Sequence, residues 1–282
     1  MNAVTLRDLL ADAARQLIPV SDTPRLDAEI LLAAALDQPR SYLFTWPERL
    51  PEPEQAACFA AWLQRRRTGE PLAYLLGRRE FWSLELDVTP DTLIPRPETE
   101  LLVKLALQQL PTDRRSTVAD LGTGSGAIAL ALAVERPQAR IIATDCSAAA
   151  LAVARRNAQR LGIGNLEFRQ GDWHQPLAED RFDLIVSNPP YIAAGDSCWR
   201  QGALQFEPST ALTAGADGLD ALRIIIAQAP VYLKPKGWLF LEHGHDQGKI
   251  VLFLLREKGF IAVSDHQDIA GISRVCAGRW PG

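Results

Sequence analysis

From Thr117 onward the chain alternates strand and helix patterns, and this alternation narrows the possible folds more than any other feature. "TVADLG", "RIIATD", "LEFRQGD" and "RFDLIVSN" read as short strands, with "SGAIALALAVER" and "AAALAVARRNAQRLG" as helices among them. Further on, "GLDALRIIIAQAPVYL" and "QGKIVLFLLREKG" read as helices, and "GWLFLEHG", "IAVSDHQD" and "ISRVCAGR" as strands. A strand, a crossover helix and a second strand pair in parallel, because the helix consumes the length a tight turn would not need. Repeating the unit gives a mostly parallel, seven-stranded α/β sheet with helices on both faces.

The first 75 or so residues follow a different pattern. In "TLRDLLADAARQL", Thr5 is placed as an N-cap, and Leu6, Leu9, Leu10, Ala13 and Leu17 share one helical face. "SDTPRLDAEILLAAAL" sets Pro24 in a first turn, with Asp27 and Glu29 near the positive end of the helix dipole. "EPEQAACFAAWLQRRRTG" makes a third helix, which Gly69 stops. In "EFWSLELDVTPDTLIPRPETE", Leu84, Leu86 and Val88 alternate with Glu85 and Asp87, which is strand period. The expected organisation is a helical domain over residues 1–75, a β-hairpin linker over 76–96 and the α/β domain over 97–282.

Composition sets limits. The chain has 282 residues, 47% of them hydrophobic, and a formal net charge of -4. A protein whose main task is gripping a nucleic-acid backbone usually carries a basic surface. The runs Arg65, Arg66, Arg67 and Arg78, Arg79 are therefore read as solvated faces. Cys58, Cys146, Cys198 and Cys276 form no CxxC pair, and the four histidines form no HExxH pattern, so no metal is expected. No segment has the length of a membrane span, and no charged leader precedes an apolar stretch. With free thiols, these features fit the cytoplasm.

Two motifs carry chemistry. Gly122, Gly124 and Gly126 directly follow the first strand of the α/β region. A turn this tight needs residues without a Cβ, and the helix after it presents N–H groups to a ligand. Asp145 ends the next strand, 19 residues after Gly126, where a carboxylate can accept from ribose hydroxyls. Spacing alone leaves a dinucleotide open, because Gly122, Gly124 and Ala127 also satisfy G-x-G-x-x-A. Asp172 and Trp173, after the third strand, suit an adenine instead, the carboxylate accepting from the amino group and the indole lining the ring. The second motif is "NPPY", Asn188 to Tyr191, after the fourth strand. Two prolines remove N–H donors and stiffen the loop, so that it exposes an amide and a carbonyl in fixed positions.

Here the chain resembles a known family. Gly122-Thr123-Gly124-Ser125-Gly126 with Asp145 is similar to the S-adenosylmethionine site of class I methyltransferases, which have a Rossmann-like sheet. Asn188-Pro189-Pro190-Tyr191 resembles the [DNS]-PP-[YF] loop of enzymes that methylate amide or exocyclic amino nitrogens. "GEPLAYLLGRREFWSLELDV", "LIPRPETE" and "FEPSTAL…DGLDALR" resemble the release-factor glutamine methyltransferases, over nearly the whole chain. The family often has glycines where Thr213-Ala214-Gly215-Ala216 stands here. The resemblance implies methyl transfer from S-adenosylmethionine to the glutamine nitrogen of the Gly-Gly-Gln loop of class 1 peptide chain release factors. It implies a monomer with a protein partner, and neither a membrane nor a direct nucleic-acid substrate.

The chemistry suits the residue types. An amide nitrogen is a poor nucleophile, because its lone pair is delocalised into the carbonyl. The Asn188 side-chain oxygen and the Pro189 carbonyl can accept its two N–H groups and stabilise positive charge growing on nitrogen. Prolines limit the reorganisation this requires. Tyr191 is read as covering the planar amide, and the Asn188 NH2 as anchored by nearby backbone. The competing readings are a nucleic-acid adenine-N6 methyltransferase acting on a flipped base, a silent module that binds a translation factor, and a nicotinamide dehydrogenase.

Overall fold

The computed structural model describes residues 4–113 and 115–282. The chain divides into two compact units, Met1–Arg78 with Arg200–Phe206, and Arg79–Trp199 with Glu207–Gly282.

The first unit contains five α-helices among its described residues: α1 (Leu6–Leu17), α2 (Pro24–Ala35), α3 (Arg40–Thr45), α4 (Pro53–Arg67) and α5 (Leu72–Leu76). The sequence reading expects only α1, α2 and α4, because α3 and α5 are too short to show a period. Thr5 caps α1 in a reciprocal box with Asp8. Leu6, Leu10, Ala13 and Leu17 pack against Leu31, Leu32 and Phe59. Gly69, at φ 93°, follows the end of α4, and the Phe206 ring lies beside it.

The acids of α2 do more than face a dipole. Asp27 and Glu29 are both buried. Asp27 pairs with Arg66 Nε at 2.8 Å, and Glu29 takes Arg25 at 3.0 Å and Arg40 at 2.6 Å. Two of the expected solvated arginines are thus engaged: Arg66 inside this pair, and Arg65 with Glu70 at 2.5 Å. Partners remote in sequence make these pairs, and local pattern does not register them.

A hairpin of β1 (Arg78–Phe81) and β2 (Leu84–Asp87) follows, turning at Trp82 and Ser83, which both have positive φ. A 3₁₀ turn at Pro97–Thr99 leads into α6 (Glu100–Gln109). The second unit continues with β3 (Thr117–Leu121), α7 (Ala127–Glu135), β4 (Arg140–Asp145), α8 (Ala148–Arg160), β5 (Leu166–Gln170) and β6 (Phe182–Ser187). It ends with α9 (Asp220–Tyr232), β7 (Leu233–Glu242), α10 (Gly248–Glu257), β8 (Ile261–Gln267) and β9 (Ser273–Arg279).

The sheet has seven strands in the order β5-β4-β3-β6-β7-β9-β8. All neighbours are parallel except β9, which runs antiparallel to β7 and β8. Helix α7 is buried from Ala127 to Ala133, which explains why its sequence is apolar all round. One core layer contains α6 and α7 against one face of the sheet, and the other contains α9 and α10 against the opposite face. From β3 the chain steps outward to β4 and β5, then returns to place β6 on the other side of β3. The order therefore reverses between β3 and β6, and ligands bind open α/β sheets outside the carboxyl ends at such a point.

Candidate active site

Leu121 pairs with Ser187 in the β3–β6 register. The glycine loop and the Asn-Pro-Pro-Tyr loop therefore leave the sheet side by side, although 61 residues separate Asn188 from Ala127. Both line one cleft, together with the segment Pro90–Arg96 and with Pro208, Thr210 and Ala211.

Gly122, Gly124 and Gly126 have φ values of 71°, 57° and 88°. A Cβ on Gly126 would stand 3.1 Å from Leu130 and 3.2 Å from Ala154, so close packing of α7 on α8 demands glycine there. Several loop amides are consumed inside the protein. Gly122 and Thr123 donate to the Thr144 carbonyl, both at 2.9 Å, and Gly126 donates to the Thr123 carbonyl at 2.9 Å. Gly124 N donates to Asp145 Oδ2 at 2.9 Å. These amides shape the loop, a use that glycine spacing does not reveal.

Asp145 has a second backbone partner, accepting from Ser147 N at 2.9 Å through Oδ1. An ionised carboxylate offers about four acceptor positions, so each oxygen keeps one for a ligand in the cleft. Asp172 is exposed at the rim, and Trp173 packs on Gly122, its ring 3.3 Å from where a Cβ would stand. Thr123 and Ser125 are both buried, and both line the cleft. The Ser125 carbonyl accepts from Asn157 Nδ2 at 2.9 Å, and the same amide holds both backbone groups of Asp87. Asn157, fully buried on α8, ties β2 to the glycine loop and was missed in the sequence.

Asp120 was missed as well. It is fully buried beneath the loop and accepts from Thr123 Oγ1 at 2.6 Å. Burial pushes its carboxyl up to about 7; the Thr123 hydrogen bond opposes the rise and the Asp145 charge adds to it. The folded protein thus holds a proton there that the unfolded chain releases above about pH 4. The associated stability is full below that pH and is lost as pH rises through about 7. Asp120→Asn is expected to flatten this decline, by on the order of 4 kcal/mol across the window. Urea midpoints from about pH 4 to 8 test it; an unchanged slope would remove the assignment. Glu242, which burial also raises to about 7, adds a decline of the same sign, and His174, which burial lowers to about 4, opposes both between about pH 4 and 6.5.

Asn188, Pro189 and Pro190 line the cleft. Asn188 Nδ2 donates to Thr99 Oγ1 at 3.1 Å, so the anchor is a side-chain hydroxyl and not the backbone expected from sequence. This commits the NH2 arm and leaves the oxygen as the arm for a ligand. Tyr191 is not among the cleft-lining residues. Its ring packs into the core beneath, and its hydroxyl donates to the buried Glu242 Oε1 at 3.4 Å. Burial and then the Glu242 charge push the phenol up. Its carbonyl accepts from Gln247 Nε2 at 3.0 Å, and a Cβ on Gly218 would come within 2.3 Å of that carbonyl. The exit from the loop is held by Leu212–Gly215: Ile192 N donates to Leu212 O, Ala214 N to Ile192 O and Ala194 N to Gly215 O, each at 2.9 Å. Arg96 and Ile94 N both bind the buried Glu207 carboxylate, which joins "IPRPETE" to "FEPSTAL" beside the cleft.

Two family models match the chain: the PrmC N-terminal domain over residues 8–77 and the methyltransferase small domain over residues 99–201. A release factor glutamine methyltransferase from Xylella fastidiosa is 54% identical over 258 residues, covering 92% of this chain and 94% of that protein. One from Pseudomonas aeruginosa is 52% identical over 276 residues, covering 98% and 99%. The chain belongs to the release factor glutamine methyltransferase family. A crystal structure of a methyltransferase from Pyrococcus furiosus, 18% identical, superposes with a TM-score of 0.54 over 79% of this chain and 98% of that one, a likeness of fold. The glycine loop and the Asn188–Tyr191 loop stand at the carboxyl ends of β3 and β6. Among the described residues, no helix is long and apolar enough to cross a membrane.

Proposed function

We propose that this chain transfers a methyl group from S-adenosylmethionine to the side-chain amide nitrogen of the glutamine in the Gly-Gly-Gln loop of peptide chain release factors, in the cytoplasm. The observation that carries the reading is the pairing of Leu121 with Ser187, which sets a cofactor-type loop beside an amide-presenting loop in one cleft. The residues fit the cofactor. Asp145 has acceptors for a ribose diol, Trp173 offers an apolar face, Asp172 lies at the rim, and the glycines leave room where side chains would fill the cleft.

When bound, S-adenosylmethionine supplies an electrophilic methyl group on a sulfonium sulfur. Asn188 Oδ1 and the Pro189 carbonyl accept the two N–H groups of the glutamine amide and orient its nitrogen. They also stabilise charge developing on that nitrogen, and the prolines keep them from having to move. The product nitrogen gives up a proton to water. Pro190 stiffens the loop. Tyr191, with its hydroxyl on Glu242, supports the loop from beneath. Mass spectrometry of a release factor incubated with the protein and S-adenosylmethionine tests the reading. A gain of one methyl on that glutamine is expected, and methylation of DNA adenine instead would overturn it.

Thr99 positions Asn188. Thr99→Val keeps shape but offers no acceptor to Nδ2. The rate of transfer is expected to fall about five- to tenfold, the worth of one hydrogen bond, with cofactor affinity within about twofold. An unchanged rate would show that the prolines alone orient the amide.

The helical region over residues 1–75 serves the protein partner, since the cleft residues all lie after it. Deleting it is expected to spare cofactor binding and weaken methylation of intact release factor. A folded truncation that methylates the factor as well as the full chain does would assign the region another role.

A further inference from the structure

The described residues bring together a second group of chemically able side chains that the proposed transfer does not use. His243 follows β7, Asp265 lies on β8 and Cys276 on β9. We propose that these three residues form a binding site for one zinc ion.

The His243 ring decides which atoms face inward. Its Nδ1 lies 2.8 Å from the Gly244 carbonyl oxygen, which can only accept, so Nδ1 carries the hydrogen. In the neutral ring Nε2 is then a bare lone pair. It stands 3.3 Å from Cys276 Sγ and 3.4 Å from Asp265 Oδ1, and Sγ lies 3.8 Å from the same oxygen. A bare nitrogen and a carboxylate oxygen repel at this separation unless a proton or cation lies between them. The single thiol proton can answer at most one of these three contacts, and the Gly248 carbonyl, 3.6 Å from Sγ, competes for it.

Zinc answers all three. Bonds of about 2.3 Å to sulfur and 2.0–2.1 Å to nitrogen and oxygen, in a tetrahedron, imply ligand-to-ligand edges of about 3.4–3.6 Å. The observed edges lie within about 0.3 Å of that range. Outer partners are in place as zinc ligands require them: the Gly244 carbonyl on the ring, and the Ser273 hydroxyl on Asp265 at 2.7 Å. A thiolate and a carboxylate would neutralise the ion. His243 and Cys276 are fully buried while Asp265 reaches solvent, so an ion has access and water can complete the tetrahedron. Binding displaces the thiol proton to solvent, which the metal must drive, because burial and the Asp265 charge hold the sulfur protonated.

The ligands come from positions 243, 265 and 276, spacings that match no metal motif, so the expectation of no metal could not have detected them. The site also lies next to the catalytic loop in the network: Gly244 N donates to Gln247 Oε1, and Gln247 Nε2 holds the Tyr191 carbonyl.

The full chain, stripped with a chelator, is titrated with zinc and separately with cobalt(II). One equivalent should bind, the melting temperature should rise, and cobalt should give a thiolate-to-metal charge-transfer band. Cys276→Ala retains the other three thiols as background and should abolish that band. Asp265→Asn, at an exposed position, should weaken zinc binding by more than the ~10–100-fold that loss of an outer partner costs. If the stripped wild type binds no more zinc than Cys276→Ala, or cobalt binds without the band, or zinc leaves the melting temperature unmoved, the cluster is an imidazolium–carboxylate pair only and the proposal fails. The band in the wild-type chain decides the matter even if a variant does not fold.

Discussion

Replacing Asn188 by Ala is expected to lower the single-turnover rate of methyl transfer by about 10²–10³, by analogy with the loss of one preorganised hydrogen-bonding group at a charge-developing centre. Stability should change little. Pro189 and Pro190 shape the loop, and Asn188 contributes one half-buried hydrogen bond to Thr99. Asn188→Asp is the sharper comparison. It keeps an acceptor oxygen toward the substrate, so it should exceed Ala. It also replaces the N–H now given to Thr99 Oγ1 by an oxygen, so the Thr99 hydroxyl must turn from Glu242 to donate to it, and it adds a charge at the cleft, so it should not match the wild type. The measurement is transfer to a release factor at saturating cofactor, with thermal unfolding as the control for folding. Transfer by Asn188→Ala at the wild-type rate would reduce the loop to a structural element and end the two-acceptor mechanism.

Replacing Asp145 by Ala is expected to weaken S-adenosylmethionine by about 1.5–3 kcal/mol, through loss of charge-assisted hydrogen bonds to the ribose. The structure adds a second consequence. Gly124 N and Ser147 N both lose their acceptor, so the melting temperature should fall as well. Asp145→Asn separates the two effects, because it retains one acceptor oxygen but presents an NH2 to the other backbone donor. Calorimetry gives the affinity and differential scanning the stability. Cofactor affinity unchanged in both variants would leave Asp145 as a loop brace only.

Much of this protein was legible before any coordinates. The seven strands and the helices that cross between them follow from two periodicities, because each element must bury one face and the pattern of burial is written locally. The hairpin followed from Leu84, Leu86 and Val88, and the α1 cap from Thr5, whereas its reciprocal partner Asp8 emerged only in the structure. The glycine loop and Asn188 to Tyr191 were visible because unusual backbone demands leave unusual residues.

Tertiary structure alone decided which parts meet. The β3–β6 register brings the two loops to one cleft, and only strand order determines that. Thr99 holds Asn188 from 89 residues away, and Glu207 joins Arg96 from 111. Asp27 and Glu29 look like dipole partners in sequence but are buried ion-pair members in space. Tyr191 sits in a motif that suggests substrate contact, yet its ring turns to the core and Glu242. Sequence pattern reports the environment a residue needs, through its shape and polarity. It does not report which distant group supplies that environment, since a hydrogen bond or ion pair constrains partners by distance in space and not along the chain.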